Sequence, residues 1–162
     1  KWAVTANFTH LESKPITSFF NLVLAHNYGA AFSLLAQAGG WQRILLSAIA
    51  LAAAIIIIWL LSKHRDDKVF CAGLSLILAG AVGNLIDRVR FGYVVDFLDF
   101  HLEPFAGACR WVSEIVGTCH WPAFNVADSS IFLGAALLIW DSFRKKPAPA
   151  LAHTAEAKTK PY

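Results

Sequence analysis

The chain has 162 residues, of which 57% are hydrophobic and only 15% charged, with a mean hydropathy of +0.52. A soluble domain carries roughly 25% charged residues, so this composition excludes an ordinary soluble fold and points to an integral membrane protein. The net charge of +3 comes with no basic face interleaved with aromatics, which excludes a nucleic-acid binder.

Residues 1–40 hold no segment of membrane-spanning length. Lys14-Pro15-Ile16-Thr17 and the run Phe19 to Ala25 read as strands or an interfacial patch. Asn27-Tyr28-Gly29 is a turn signal, followed by Ala30 to Ala36. A span needs about 20 predominantly apolar residues. The first is expected over about 41–61, where Ile44 to Leu61 is apolar except for Ser47 and where Trp41 and Trp59 suit the two interfaces. The second is expected over about 69–88, ending at Asp87-Arg88. His101 to His120 is a polar loop in which Trp111 and Val112 to Val116 predict a short amphipathic helix at the interface. A third span is expected over about 123–143, with its polar residues Asn125, Asp128, Ser129 and Ser130 all at its start. After Lys146 the composition turns to that of a tail, and 147–162 is expected to be disordered and cytoplasmic, leaving 1–146 as one membrane domain.

Orientation follows from lysine and arginine in the short flanks. Lys63, Arg65 and Lys68 crowd the loop between the first two spans, and Arg144-Lys145-Lys146 follow the third. Both sites should be cytoplasmic. The stretch from Asp87 to Pro122 is sparser in cations and should lie outside, which places Asp87, Asp96 and Asp128 on one outer side of the membrane.

Acids at a bilayer boundary are costly to keep and suggest a functional site. Asn84 and Asp87, and again Asn125 and Asp128, stand at i and i+3, so each pair presents an amide and an acid on one helix face. A structural alternative is that Asn125 is a helix cap with Asp128 in the first turn, and that Asp87 pairs with Arg88 or Arg90. Asp96 lies between Val95 and Phe97, and in an extended segment would share a face with Val94 and Leu98 while Asp99 points the other way. Asp99 therefore reads as a boundary charge without a catalytic role. A carboxyl among apolar side chains has a raised pKa, so Asp96 and Asp128 suit a two-carboxylate acid–base site. Ser129 and Ser130 have no histidine near them in sequence. His26, His101 and His120 are scattered, and Cys109, Cys119 and His120 lack metal-site spacing. No metal or cofactor is expected. Cys71 reads as a small packed residue, and the sequence leaves open whether Cys109 and Cys119 are joined. A proton-coupled carrier using the acids as relays, and a purely structural membrane subunit, are the competing classes.

Four segments together resemble the bacterial lipoprotein signal peptidases (the signal peptidase II family of aspartyl peptidases). They are Phe19-Phe20-Asn21-Leu22 with His26-Asn27-Tyr28-Gly29-Ala30-Ala31-Phe32-Ser33; Gly83-Asn84-Leu85-Ile86-Asp87-Arg88; Gly92-Tyr93-Val94-Val95-Asp96-Phe97; and Phe124-Asn125-Val126-Ala127-Asp128-Ser129. The resemblance implies an all-α polytopic transmembrane bundle with a small extramembrane β cradle and an interfacial helix. Four spans are usual in the family; three are seen here, and Lys1-Trp2 resembles the residues just past the end of the first. An aspartate usual near that junction is absent with it. The implied dyad is Asp96 and Asp128, with Asn27, Gly29, Asn84, Asp87, Arg88 and Asn125 shaping the site or holding substrate. The implied reaction removes the signal peptide from a diacylglyceryl-modified prolipoprotein, N-terminal to the lipidated cysteine, at the periplasmic face of the bacterial inner membrane. A monomer is expected, with the prolipoprotein and membrane lipid as partners and globomycin-type inhibitors occupying the dyad. Two departures from the family pattern stand out. His26 replaces a more usual arginine, which is expected to bear on substrate or headgroup contact, and the loop His101 to Trp121 is longer and carries the two cysteines, reading as a lid over the site.

Overall fold

The computed structural model describes residues 1–29 and 39–144. The motif residues Ala30 to Ser33 and the expected tail 147–162 lie outside the described residues. In chain order the elements are helix α1 (Trp2–Asn7), strands β1 (Ser13–Pro15) and β2 (Phe20–Asn27), helices α2 (Trp41–Lys63) and α3 (Lys68–Phe91), strand β3 (Val94–Phe100), and helices α4 (Ala106–Val116) and α5 (Val126–Arg144). Three of these helices, α2, α3 and α5, are long and apolar enough to cross a membrane, and the chain is a multi-pass membrane protein. Ile44, Ile55, Ile58, Phe132 and Phe143 are all exposed on them, as expected where lipid rather than water is the neighbour.

The third span starts at Val126, three residues later than the sequence suggests. Phe124 is occupied elsewhere, exchanging backbone hydrogen bonds with Leu98 of β3 at 2.8 and 3.1 Å. Asn125 is then the cap. Its Oδ1 accepts from the N–H groups of Ala127 (2.7 Å) and Asp128 (3.3 Å), while its own N–H donates to Asp128 Oδ2 at 3.1 Å. This reciprocal cap satisfies donors that a helix start would otherwise leave unpaired.

Helices α3 and α5 pack antiparallel through small residues two turns apart on each. A Cβ at Gly134 would stand 2.6 Å from the Gly73 carbonyl oxygen, and one at Gly80 would collide with the Ala127 carbonyl. Without side chains at these points the backbones approach closely, as membrane helices do where dispersion must replace the hydrophobic effect. Ser130 Oγ donates to the Leu76 carbonyl at 2.8 Å and adds a polar tie across the same pair.

The three strands form one antiparallel sheet in the order β1-β2-β3. Strand β3 follows α3 almost directly. Gly92, at φ 86°, supplies the left-handed residue that ends the helix, and Arg43 of α2 donates to the Val89 carbonyl of its last turn at 3.0 Å. One face of the sheet packs Leu24 and Val95 against Val4 of α1, with Phe8, Tyr93 and Phe97 around them.

The β2–β3 register carries an irregularity. Leu22 opposes Leu98, but Ala25 opposes Asp96, so three steps on β2 span two on β3. One extra residue flips every later side chain to the other face. Asn21 thereby reaches Asp99 on one face (3.0 Å) and Asn27 reaches Asp96 on the opposite face (3.1 Å). The expectation that Asp96 and Asp99 point apart is met in this way. His26 falls on the face away from Asn27, with its ring stacked between those of His10 (4.1 Å) and Tyr93 (3.9 Å). Burial, reinforced by His10, lowers the His26 pKa.

The long loop contains the expected amphipathic helix, α4. It buries Val112 and leaves Trp111 and Ile115 exposed, with Arg110 and Glu114 paired at 3.4 Å one turn apart. Cys109 and Cys119 are joined as a disulfide, with Cα atoms 4.7 Å apart.

Candidate active site

The end of α3, the start of α5 and the middle of β3 meet at one end of the helix bundle, and the polar residues of all three segments meet there. Asp96 is 3% exposed and Asn125 fully buried. Each oxygen of the two acids has its own donor. The Asn125 amide donates to Asp96 Oδ1 at 2.7 Å, and the Asn27 amide to Oδ2 at 3.1 Å. Asn84 donates to Asp128 Oδ1 at 2.7 Å, and the Asn125 backbone N–H serves Oδ2. The second hydrogen of the Asn125 amide points to Asn84 Oδ1 at 3.2 Å, which closes the network. Carboxylates held by two donors each cannot rotate freely, so their lone pairs are aimed before any substrate arrives.

Burial pushes the Asp96 carboxyl up to about 6; the Asp128 charge adds to the rise, while the Asn125 and Asn27 hydrogen bonds oppose it. The apolar neighbours on either side of Asp96 in sequence, Val95 and Phe97, are the local origin of that burial. Asp128 sits in the first turn of α5, where the helix dipole complements negative charge. The two acids thus occupy unlike environments, an arrangement that can separate an acid role from a base role. They lie at the end of the bundle rather than mid-span, where a proton relay would need them.

Every described residue anticipated for the site is brought to it. Gly29 donates its N–H to Asn27 Oδ1 at 2.9 Å, which orients that amide, and its carbonyl accepts from Arg88 at 2.9 Å. Arg88 also feels the charges of Asp87, Asp96 and Asp128. Asp87 does not take up the ion pair with Arg88 or Arg90 that the structural alternative offered. It accepts from Lys1 Nζ at 2.7 Å and from the Val95 N–H at 2.9 Å, because the tight turn at Gly92 folds β3 back over the last turn of α3. Lys1 Nζ also reaches Asn84 Oδ1 at 3.0 Å. Lys1 is not among the residues the sequence places in the site, and no local pattern marks it as the partner of an acid on α3. Asp99 is also more than a boundary charge. It is buried, and His120 Nδ1 lies 3.0 Å from its Oδ1. Among the described residues no group of three or more His, Cys, Asp or Glu is placed to hold a metal ion.

The family model described as Signal peptidase (SPase) II matches residues 1–144. The chain belongs to the signal peptidase II family. It is therefore a peptidase by family, and the four segments that suggested as much include Asn27, Asn84, Asp87, Asp96, Asn125 and Asp128. The lipoprotein signal peptidase of Ralstonia nicotianae (strain ATCC BAA-1114 / GMI1000) is 54% identical over 145 residues, covering 90% of this chain and 76% of that protein. That of Paraburkholderia phymatum is 51% identical over the same share of this chain and 79% of its own. Two solved bacterial membrane enzymes, both determined by the in meso method, align with TM-scores of 0.70 and 0.69 at 27% and 26% identity. They cover 92% and 90% of this chain, and 84% and 83% of theirs.

Proposed function

We propose that this signal peptidase II family member is an aspartyl endopeptidase of diacylglyceryl-modified prolipoproteins, cutting N-terminal to the lipidated cysteine. The observation that carries the reading is Asn125, one residue that donates to Asp96 through its side chain and to Asp128 through its backbone, and so ties two acids into one unit. Asp128 accepts a proton from water as the water oxygen attacks the scissile carbonyl. Asp96, the carboxyl raised by burial, gives its proton to the developing oxyanion. The tetrahedral intermediate then collapses, the C–N bond breaks, the proton held by Asp128 passes to the leaving amine, and a hydroxyl of the intermediate returns a proton to Asp96 as the carboxylic acid forms. The lipid chains of the substrate stay in the leaflet while the scissile bond reaches the end of the bundle, so the membrane itself supplies orientation. Asn27, Gly29, Asn84, Asp87, Arg88 and Asn125 shape the site. The protein acts as a monomer in the bacterial inner membrane, with the site on its periplasmic side.

The test is a gel-shift cleavage assay with the full-length protein reconstituted with a diacylglyceryl-modified prolipoprotein. The parent should cleave, and Asp96→Asn and Asp128→Asn should each lose about a thousandfold or more in rate. Full cleavage by Asp128→Asn would overturn the mechanism. A folded parent that does not cleave would return attention to proton or solute flux.

A further inference from the structure

We infer that Asp99 and His120 form a positioning pair that holds Asn125 and Asp128 in register with Asp96, an assignment that rests on the dyad reading above. Asn125 follows a short segment, His120 to Phe124, that runs antiparallel along the edge of β3 not used by β2. It is pinned at two places. At its far end Phe124 exchanges hydrogen bonds with Leu98 and also accepts from the Phe97 N–H at 3.0 Å. At its near end Trp121 N–H donates to the Phe100 carbonyl at 2.8 Å, and His120 bridges His101.

The side chains lock the near end. His120 Nδ1 lies 3.0 and 3.1 Å from the two oxygens of Asp99, and Asn21 donates to Asp99 Oδ2 at 3.0 Å from the other side. The His120 ring also stacks on that of His101, with centroids 5.4 Å apart, and Glu103 stands 3.9 Å from His101 Nδ1. Asp99 is thus held by β2 and by the approach to α5 at once. Asp96 and Asp99 share one rigid strand, and His120 and Asn125 share one short segment. A fixed Asp99–His120 contact therefore constrains the Asn125–Asp96 contact. The disulfide reinforces this from outside. Cys119 immediately precedes His120, is joined to Cys109 of α4, and accepts from the Leu102 N–H at 2.9 Å. The length of the inserted loop then adds no slack to the segment that carries the acid. Neither residue touches the reacting atoms, so both are positioning residues rather than catalytic ones.

The experiment compares His120→Ala, His120→Asn, Asp99→Asn and the double variant Asp99→Asn/His120→Ala in the full-length protein, with Asp96→Asn as control. kcat and KM are measured on a diacylglyceryl-modified prolipoprotein, and thermal unfolding is followed in the same detergent. The His120 side chain is 45% exposed, so its truncation leaves no core cavity. His120→Ala should lower kcat about tenfold with KM within about twofold, as expected for a small misplacement of catalytic groups. Asparagine carries an amide nitrogen near the position of Nδ1, so His120→Asn should recover most of that loss. The double variant should be no worse than His120→Ala, because both changes cut the same contact. Parental kcat in His120→Ala, a loss confined to KM, a loss explained by the unfolded fraction, or no recovery in His120→Asn would each overturn the pair. Residual cleavage by Asp96→Asn would instead sink the dyad reading and leave the pair without a site to position.

Discussion

The amide of Asn84 reaches Oδ1 of Asp128 at 2.7 Å, so the two Asn-x-x-Asp repeats are interlocked rather than parallel copies. The amide of the first repeat serves the acid of the second, and the amide of the second serves Asp96. The acid of the first repeat, Asp87, turns away to Lys1 and to the backbone of β3. Capping and function therefore do not compete at Asn125. Its oxygen caps α5 while its nitrogen holds Asp96.

Asn125 should accordingly tolerate no replacement that removes a donor. Asn125→Asp keeps the cap oxygen but sets a third carboxylate against Asp96. It should lower kcat about a hundredfold or more, comparable to the loss of a preorganised donor in other sites. The cap oxygen survives, but a carboxyl buried beside Asp96 also costs stability, so kcat is compared per folded protein, with the folded fraction read from thermal unfolding.

Asp96 makes stability depend on pH. Its carboxyl rises from 3.8 to about 6 on folding, chiefly by burial. A group raised in this way adds stability that is full below the unfolded value and is lost as pH climbs through about 6. Asp96→Asn cannot ionise and escapes that loss. Its stability relative to the parent should therefore be greater at about pH 8 than at about pH 4, by on the order of 2 kcal/mol. Unfolding in detergent at the two pH values checks the sign. An equal difference at both would show that Asp96 does not titrate within the folded protein as described.

Lys1 compensates a buried charge. Its side chain is 21% exposed and that of Asp87 8%, so Lys1→Met would leave Asp87 with one backbone donor and without its ion-pair partner. Breaking such a pair from one side costs about 3 kcal/mol or more. The double variant Lys1→Met/Asp87→Asn should recover part of that, because no uncompensated charge remains. A double-mutant cycle on thermal unfolding measures the coupling directly.

The α3–α5 contact should be intolerant of volume. Gly80→Ala places a Cβ against the Ala127 carbonyl and 2.6 Å from Ile131 Cγ1, and Ala127 immediately precedes Asp128. A loss of about 2 kcal/mol in stability is expected. Reduced cleavage in the surviving folded fraction should accompany it, because any shift of α5 at Ala127 carries Asp128 with it. Gly107→Ala, which meets nothing within 4 Å, is the control.

Cys109 and Cys119 should resist labelling. A membrane-impermeant maleimide should modify neither before reduction and both after it, since they are disulfide-bonded. Labelling of both without reduction would refute the pairing.

The three long helices were legible because lipid imposes one simple demand, about 20 apolar residues. The amphipathic pattern of Trp111 to Val116 likewise announced α4. Two strand-like segments were visible around Lys14 and Phe20, and the opposed faces of Asp96 and Asp99 followed from strand alternation alone. The start of α5 was misplaced because Phe124 is apolar, and composition does not reveal that its backbone belongs to the edge of β3. The partner of Asp87 was not legible, because sequence proximity offers only Arg88 and Arg90, while the cation that reaches it is 86 positions away.

Sequence alone therefore determined the chemistry available at the end of the bundle: which acids and amides are present, on which helix faces, beside which apolar runs. These follow from local periodicity and the cost of charge near lipid. Tertiary structure decided who holds whom. The one-residue irregularity in β2, the close approach of α3 to α5 through glycine, and the edge segment from His120 to Phe124 set distances of about 3 Å between groups far apart in the chain. Hydrogen bonds fail beyond that range, and no local pattern encodes separations that depend on how three elements pack together.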